Sequence, residues 1–271
     1  MSDQAARAQV FGQLHETGVF VLANAWDAGS ARLLTGVGFP ALGTTSGGLA
    51  FARARRDGDN LLSRDEVLAN AAEITDATRL PVSVDLESGY GETPEDVAET
   101  IRLAARAGAV GGSIEDATGL KDRPIRALDE AVDRVAAAVA AARALPFPFV
   151  LTARAENFLY GRPDLADTIA RLQAFEAAGA DVLYAPGLPD AEAIRAVCSS
   201  VGKPVNVLAG PAVESVKRLA ELGVRRVSLG SALTRAALGK VLEAAAETAT
   251  EGTFGFLAST PSYDRINSLL D

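Results

Sequence analysis

Short apolar runs suited to β-strands recur along the chain at residues 19–23, 41–44, 81–85, 111–115, 149–154, 181–185, 204–208 and 226–230. Between them lie longer stretches, such as 94–108, 128–145 and 164–179, whose apolar positions return every three or four residues as in amphipathic helices. The punctuation agrees with this reading. Thr93-Pro94-Glu95-Asp96 offers a hydroxyl cap, a proline at the first helical position and two acids over the positive helix end. Gly108, Gly179, Gly202 and Gly223 stand where helices should stop. Strands alternating with helices predict parallel βα units, and eight of them in 271 residues favour an α/β fold of the closed (β/α)8 TIM-barrel type. No GxGxxG or GxxxxGK[ST] follows the early strands, which removes the usual reason to prefer an open nucleotide-binding sheet. The expected organisation is a single barrel over 1–271, with 250–271 a C-terminal extension whose residues 262–270 form a short helix on a partner subunit. Residues 46–62 predict one long loop between strand 2 and its helix, and loops of that length are usually functional or mobile.

Composition narrows the chemistry. Acidic residues exceed basic ones by 35 to 26, a net charge of −9, against the basic footprint of a nucleic-acid binder. With 48% hydrophobic and 23% charged residues the chain can bury a core. No stretch approaches the roughly 18 apolar residues of a membrane span, and the first ten residues carry no apolar signal core, so a cytoplasmic location is expected. The single cysteine, Cys198, leaves no internal disulfide and shares a helical spacing with Ala193, Val197 and Val201, the place of a packing thiol. The single histidine, His15, excludes a His-rich zinc site, a His-based triad and an HExxH helix. What remains is carboxylates, Arg and Lys, hydroxyls, backbone amides and an oxygen-liganded cation.

In a (β/α)8 barrel the chemistry gathers at the C-terminal ends of the strands. Three carboxylates, Asp85, Glu87 and Glu115, fall on adjacent strand ends. Like charges brought together resist ionisation, and a hard cation relieves them. Mg²⁺ takes one or two carboxylates plus waters and substrate oxygens, and Mn²⁺ accepts the same donors. The plainer alternative is that these acids are rim caps and salt bridges. Ser46, Gly47 and Gly48 either present successive amides to an anion or make an ordinary turn. Arg154 carries a planar fork suited to a carboxylate, or pairs with Glu156 or Glu115. Asn206 is a pocket amide or a satisfied core amide; Trp26 is a pocket wall or packing.

Taken in order, NAWDAGSARL, TTSGG, VDLESGYG, GGSIED, TARAENF, YAPGL, VNVLAGP and VSLGSALTRAALG resemble the isocitrate lyase/phosphoenolpyruvate mutase superfamily, from about Val19 to Leu238. The resemblance implies a barrel whose eighth helix is swapped between subunits of a homodimer or homotetramer. It also implies Mg²⁺ and a small α-oxocarboxylate substrate, with C–C or P–C bonds cleaved or formed through a pyruvate enolate. By position it implies that Asp85, Glu87 and Glu115 hold the cation, directly or through water. Asp57 assists from the 46–62 segment, with Asp59 the alternative. Ser46, Gly47 and Gly48 would hold the substrate carboxylate and Arg154 the substrate oxygens.

Two departures from the superfamily pattern bear on the reaction. Glu87 stands where many members have Asp. After strand 4 the lyases carry KRCGH, whose Cys is the acid/base, and the mutases carry a longer loop with an Asn for the phosphoryl group. Here Lys121 aligns with the loop Lys, but Arg123 stands in place of the Cys, no such Asn follows, and the loop is short for a lid. The expected function is therefore a Mg²⁺-dependent lyase cleaving a C–C bond, by decarboxylation or a retro-aldol type step, in a small α-oxo- or α-hydroxy-carboxylate. Arg154, Lys121 and Tyr90 are the catalytic candidates, with Glu156 a further possible base. A phosphonate mutase or hydrolase is the runner-up, and a non-catalytic carboxylate-binding member the second alternative. A phosphosugar enzyme using Gly210, Gly230 and Ser231 is a reading from another class, disfavoured by the acidic cluster.

Overall fold

The computed structural model describes residues 3–210 and 215–270. Eight parallel strands, β1 (Phe20–Ala25), β2 (Ala41–Thr44), β3 (Val82–Asp85), β4 (Gly111–Glu115), β5 (Val150–Arg154), β6 (Val182–Tyr184), β7 (Val205–Leu208) and β8 (Arg226–Ser228), pair in chain order. β8 returns to β1, with Phe20 opposite Arg226, and closes the barrel. The registers set Glu115 beside Arg154, Arg154 beside Tyr184, and Tyr184 beside Asn206.

Helix α1 (Asp3–Leu14) precedes the barrel, and α2 (Ala28–Val37) follows β1. After β2 come α3 (Ser46–Ala52) and α4 (Arg64–Ala77); α5 (Pro94–Arg106), α6 (Leu128–Arg143), α7 (Leu165–Ala177) and α8 (Ala191–Ser200) follow β3 to β6. α9 (Val216–Glu221) follows β7, and α10 (Ala232–Glu251) and α11 (Tyr263–Leu270) end the chain. The caps explain several starts: Asp27, Ser63 and Thr93 each accept from the third helical amide, whose own side chain answers back in a capping box. Small buried residues let helices approach closely, as where Ala98, Ile101 and Ala105 of α5 and Ala131, Val135 and Ala138 of α6 share one core.

The far end of the barrel is plugged by α1. Phe11, His15 and Phe20 meet edge to face, with centroids 4.9 to 6.4 Å apart. A Cβ on Gly111 would lie 2.7 Å from the Phe11 ring, so the strand residue there must be small. Burial, reinforced by Arg226, pushes the His15 pKa down to about 3, so the imidazole is neutral. Cys198 is half-buried, and burial raises its thiol to about 11, consistent with an inert packing residue.

Three local expectations need correction. The 46–62 segment is not one loop: Thr45 caps α3, accepting from the Gly48 amide at 3.2 Å, and only 53–63 is irregular. Strand 1 runs to Ala25, and strand 8 ends at Ser228 because Gly230 turns left-handed at φ 53°. Gly108, Gly179 and Gly223 do terminate helices in left-handed conformations, but Gly202 does not. α8 ends through extended Val201, and the Gly202 amide donates to Glu176. The C-terminal helix packs on α2 of its own chain: Arg32 Nη1 donates to Leu270 O at 2.8 Å, and Leu269 covers Gly36. Among the described residues, no helix is long and apolar enough to cross a membrane.

Candidate active site

Three carboxylates pair with one guanidinium at the strand ends, and Glu87 and Asp57 lie near the first of them, Asp85, to make five. Arg154, at the end of β5, reaches Asp85 Oδ1 at 3.1 Å, Glu115 Oε2 at 3.0 Å and Glu156 Oε1 at 2.8 Å. Its guanidinium carbon lies 5.1 Å from the Tyr184 ring centroid, a cation–π contact that fixes its plane. Asp85 is held from several sides. Its amide donates to Thr44 Oγ1 at 2.9 Å, and its Oδ2 accepts from the Ser46 amide at 3.1 Å and the Ser46 hydroxyl at 2.9 Å. The sequence reading left Arg154 between a substrate fork and an ion pair with Glu156 or Glu115; here it makes both of those ion pairs.

The electrostatics are those of a site short of positive charge. Burial, then Asp85 and Asp57, push Glu87 up to about 7. Burial and Asp85 likewise raise Asp57. Glu115 and Glu156 are raised chiefly by desolvation, against the pull of Arg154. Burial alone would lower Arg154, but Glu115, Glu156 and Asp85 overturn that and hold its proton firmly. With every acid ionised, five carboxylates against one guanidinium leave a formal charge of −4, which repels any carboxylate ligand.

A cavity of about 170 Å³ opens at this end of the barrel, lined by Asn24, Thr44, Ser46, Gly47, Asp57, Asp85 and Arg154. Asp57 reaches it: the position of a Cβ on Gly47 lies 2.6 Å from Asp57 Oδ2, so the absent side chain leaves the acid its place. Asp59 instead pairs with exposed Arg56 at 3.7 Å, so the choice between the two acids falls to Asp57. Ser46 and Gly47 face the cavity; Gly48 does not. A Cβ on Gly48 would stand 2.6 Å from Thr234 Oγ1 and 2.9 Å from Trp26 Cβ, so its smallness serves packing. Trp26 is half-buried behind the wall, its carbonyl accepting from Asn70 at 2.9 Å. Asn206 borders the cavity floor with its amide already engaged, Nδ2 on Ser228 Oγ and Oδ1 accepting from Arg226 Nε, both at 2.9 Å.

Two catalytic candidates stand apart. Lys121 is exposed on the loop after β4, which folds on itself through an Ala117–Ile125 bridge, and it is not among the cavity residues. Tyr90 lies off the cavity too, as do Glu87 and Glu115; its hydroxyl is buried near Glu87, and burial followed by the surrounding acids raises its pKa far above normal. Glu87 and Tyr90 are non-glycine residues at positive φ, 47° and 52°, a conformation costing about 1–2 kcal/mol each. Of the Gly210–Ser231 motif, residues 211–214 lie outside the described residues.

Sequence reasoning gave Asn24 no role, yet its Oδ1 accepts from the amides of Leu229 and Gly230, both at 2.9 Å, and its Nδ2 donates to Thr44 O, knitting β1, β2 and β8 at the mouth. It also passed over Arg226, buried beneath the cavity on Asn206 and Thr152, and Arg171, which ties Asp116 to the carbonyl of Arg126.

Comparison with known proteins gives the family. The sequence profile of the phosphoenolpyruvate phosphomutase family matches residues 11–249. The chain belongs to this family. A Burkholderia cenocepacia J2315 protein provisionally described as a lyase/mutase superimposes with a TM-score of 0.95 at 56% identity, over 98% of this chain and 96% of that one. An oxaloacetate decarboxylase of Paraburkholderia xenovorans LB400 is 34% identical over 218 residues, 78% of this chain and 70% of its own. A 2-methylisocitrate lyase of Escherichia coli K12 is 33% identical over 185 residues, covering 66% of this chain and 61% of that protein. Membership in the phosphomutase family, with lyases among the relatives, makes the chain an enzyme of the isocitrate lyase/phosphoenolpyruvate mutase superfamily.

The superfamily implies a divalent cation, and the acid cluster is the candidate seat for it. Among the described residues no three acids already surround a single point closely enough to hold a metal ion; Arg154 stands in their midst instead. The donor chemistry fits nonetheless. Asp57, Asp85 and Glu87 offer only oxygens, as Mg²⁺ requires, and Asp85 raises the pKa of both neighbours.

Proposed function

We propose that this protein is a Mg²⁺-dependent carbon–carbon lyase that decarboxylates, or cleaves in retro-aldol fashion, a small α-oxo- or α-hydroxy-carboxylate. The observation that carries this reading is Arg154, paired with Asp85, Glu115 and Glu156 at a cavity of about 170 Å³ that Asp57 and Asp85 also line, with Glu87 raised to about 7 by burial and those two acids. The volume suits a small dicarboxylate and is below that of a typical cofactor pocket. An anionic substrate needs the surplus negative charge reduced first. Asp57, Asp85 and Glu87, with Glu115 behind them, would hold the cation. When bound, Mg²⁺ supplies a Lewis acid that draws charge onto the substrate's α-oxygen.

The chain's own residues do the rest. The start of α3 offers the Gly47 amide where a carboxylate would rest, while the Ser46 amide and hydroxyl are taken by Asp85 and hold it in register. Arg154, oriented by Tyr184 and its three carboxylates, brings a fixed positive charge to the oxygens that become negative as the bond breaks. Arg123 stands where the lyases carry their Cys and Lys121 is not among the cavity residues, so protonation of the product carbon falls to water. That favours decarboxylation, which needs an electron sink more than a dedicated acid. The oxaloacetate decarboxylase relative supports the same choice.

The test is pyruvate release from oxaloacetate and from substituted malates, with Mg²⁺ and with EDTA, alongside calorimetric titration with oxalate. Mg²⁺-dependent release, with oxalate binding lost in Asp85→Ala, is expected. Oxalate binding that ignores Mg²⁺ would refute the metal-enolate reading. The name of the matching family supports a second reading, P–C chemistry, and phosphate release from phosphonopyruvate without C–C turnover would select it.

The same proposal includes a homodimer or homotetramer. α10 leaves the barrel with Leu238, Val241 and Leu242 exposed by 42%, 62% and 71%, an apolar face that an exchanged eighth helix would bury against a second copy.

A further inference from the structure

Glu87 and Tyr90 ride on a turn, residues 86–92, whose backbone is left-handed at Glu87, Gly89, Tyr90 and Gly91, with φ of 47°, 91°, 52° and 153°. Such a turn directs its carbonyls inward, and they need donors. Gly89 O accepts from Thr100 Oγ1 at 2.7 Å, Leu86 O from the Gly89 amide at 2.8 Å, and Glu87 O from the Glu115 amide at 2.8 Å. Three others converge on a single side chain of α6. Arg134 Nη2 donates to Ser88 O at 2.7 Å and Gly91 O at 2.8 Å, and Nη1 donates to Glu92 O at 2.9 Å. Arg134 is only 3% exposed; among the described residues no carboxylate forms an ion pair with it, although Glu130, Glu92 and Asp96 are near enough to favour its charge. A buried guanidinium whose two terminal nitrogens go to backbone carbonyls of one turn, and whose Nε is left without a partner, is costly to keep for packing alone. α6 does not need it for that, since Ala131, Val135, Ala138 and Ala142 already seat the helix in the core.

We propose that Arg134 is a positioning residue for the cation site: by clamping Ser88, Gly91 and Glu92 it holds the left-handed turn that aims Glu87 at Asp85 and Asp57. The inference rests on the cation reading proposed above. The planar fork matters, because its diverging donors span three carbonyls that a lysine ammonium would meet as a single point.

The experiment compares the full-length wild type with Arg134→Met, Arg134→Lys and Val135→Ala. Mn²⁺ affinity in the presence of oxalate is read by electron paramagnetic resonance of the free ion. Melting temperature and amide hydrogen exchange are measured without metal. Wild type should bind Mn²⁺, and Arg134→Met should bind it about 10–100-fold more weakly, the usual loss when a partner of a metal ligand is removed. Arg134→Lys, the variant more certain to fold, should recover little of that affinity. Exchange should quicken across 86–92 while the α5 and α6 core amides stay protected. Val135→Ala, a cavity beside the same helix turn, should lower the melting temperature and leave the affinity unchanged. Affinity of Arg134→Lys within twofold of wild type would overturn the proposal, as would an equal loss in Val135→Ala. Failure of the wild type itself to bind Mn²⁺ would instead sink the cation reading, and this inference with it.

Discussion

Replacing Glu87 with Gln should make the metal-free protein more stable while removing its affinity for a divalent cation. The folded state holds the Glu87 proton up to about pH 7, against 4.5 for the free side chain, because of burial and the charges of Asp85 and Asp57. Below pH 4.5 both folded and unfolded chains carry the proton and Glu87 costs nothing. Between 4.5 and 7 the unfolded chain releases it while the folded chain keeps it, so stability falls as pH rises. At ~1.4 kcal/mol per tenfold, the full cost above pH 7 is about 3 kcal/mol; at pH 5 it is under about 1 kcal/mol. Gln keeps the shape and cannot ionise. Urea and thermal melts of both proteins in EDTA, from pH 5 to 8.5, should therefore nearly coincide at the acid end. At pH 8.5 the variant should lead by about 3 kcal/mol, roughly 6–12 °C at 2–4 °C per kcal/mol for a chain of this size. Saturating Mg²⁺ should reverse the order, since only the wild type gains from binding. A variant no more stable than wild type at pH 8.5, or a gap that fails to close at pH 5, would refute the claim that Glu87 sits in a field of uncompensated negative charge.

Three further outcomes follow from the same geometry. Arg154→Gln strips the counter-ion from Asp85, Glu115 and Glu156; urea denaturation at pH 8 should show a loss of about 3–5 kcal/mol, and a loss below about 1 kcal/mol would mean the acids are not held by that guanidinium. Gly47→Ala places a methyl 2.6 Å from Asp57 Oδ2; the acid must swing aside, and calorimetry should register roughly tenfold weaker Mg²⁺ binding with little change in melting temperature, whereas unchanged affinity would remove Asp57 from the site. Val241→Glu combined with Leu242→Glu charges the exposed face of α10; light scattering after size exclusion should report a monomer where wild type is a dimer or tetramer, and a monomeric wild type would discard the swapped-helix proposal.

The barrel was legible because each strand and helix announces itself within a few residues, through alternation of type and capping chemistry such as Thr93-Pro94. The acids were legible because barrel topology alone puts the ends of β3 and β4 side by side. What failed to show was anything resting on conformation between elements. α3 hid behind two glycines that weaken a helix in isolation but are demanded by the close approach of Asp57, Thr234 and Trp26. The choice between Asp57 and Asp59 depended on a register in an irregular segment that no periodicity sets. The buried arginines went unseen for a different reason, and theirs was a readable signal. Arg134 lies among Ala131, Val135 and Ala138, and Arg171 among Thr168, Leu172 and Phe175, all on the buried faces of α6 and α7. A charge in an apolar stripe cannot be solvated by water, so it must find partners in the chain, and the polar groups a barrel helix can reach are the loops at the ends of its own strands. An arginine that breaks the hydrophobic pattern of a barrel helix is thus a pointer to the loop it holds, and here both such arginines lead to the segments that carry Glu87, Glu115 and Glu156.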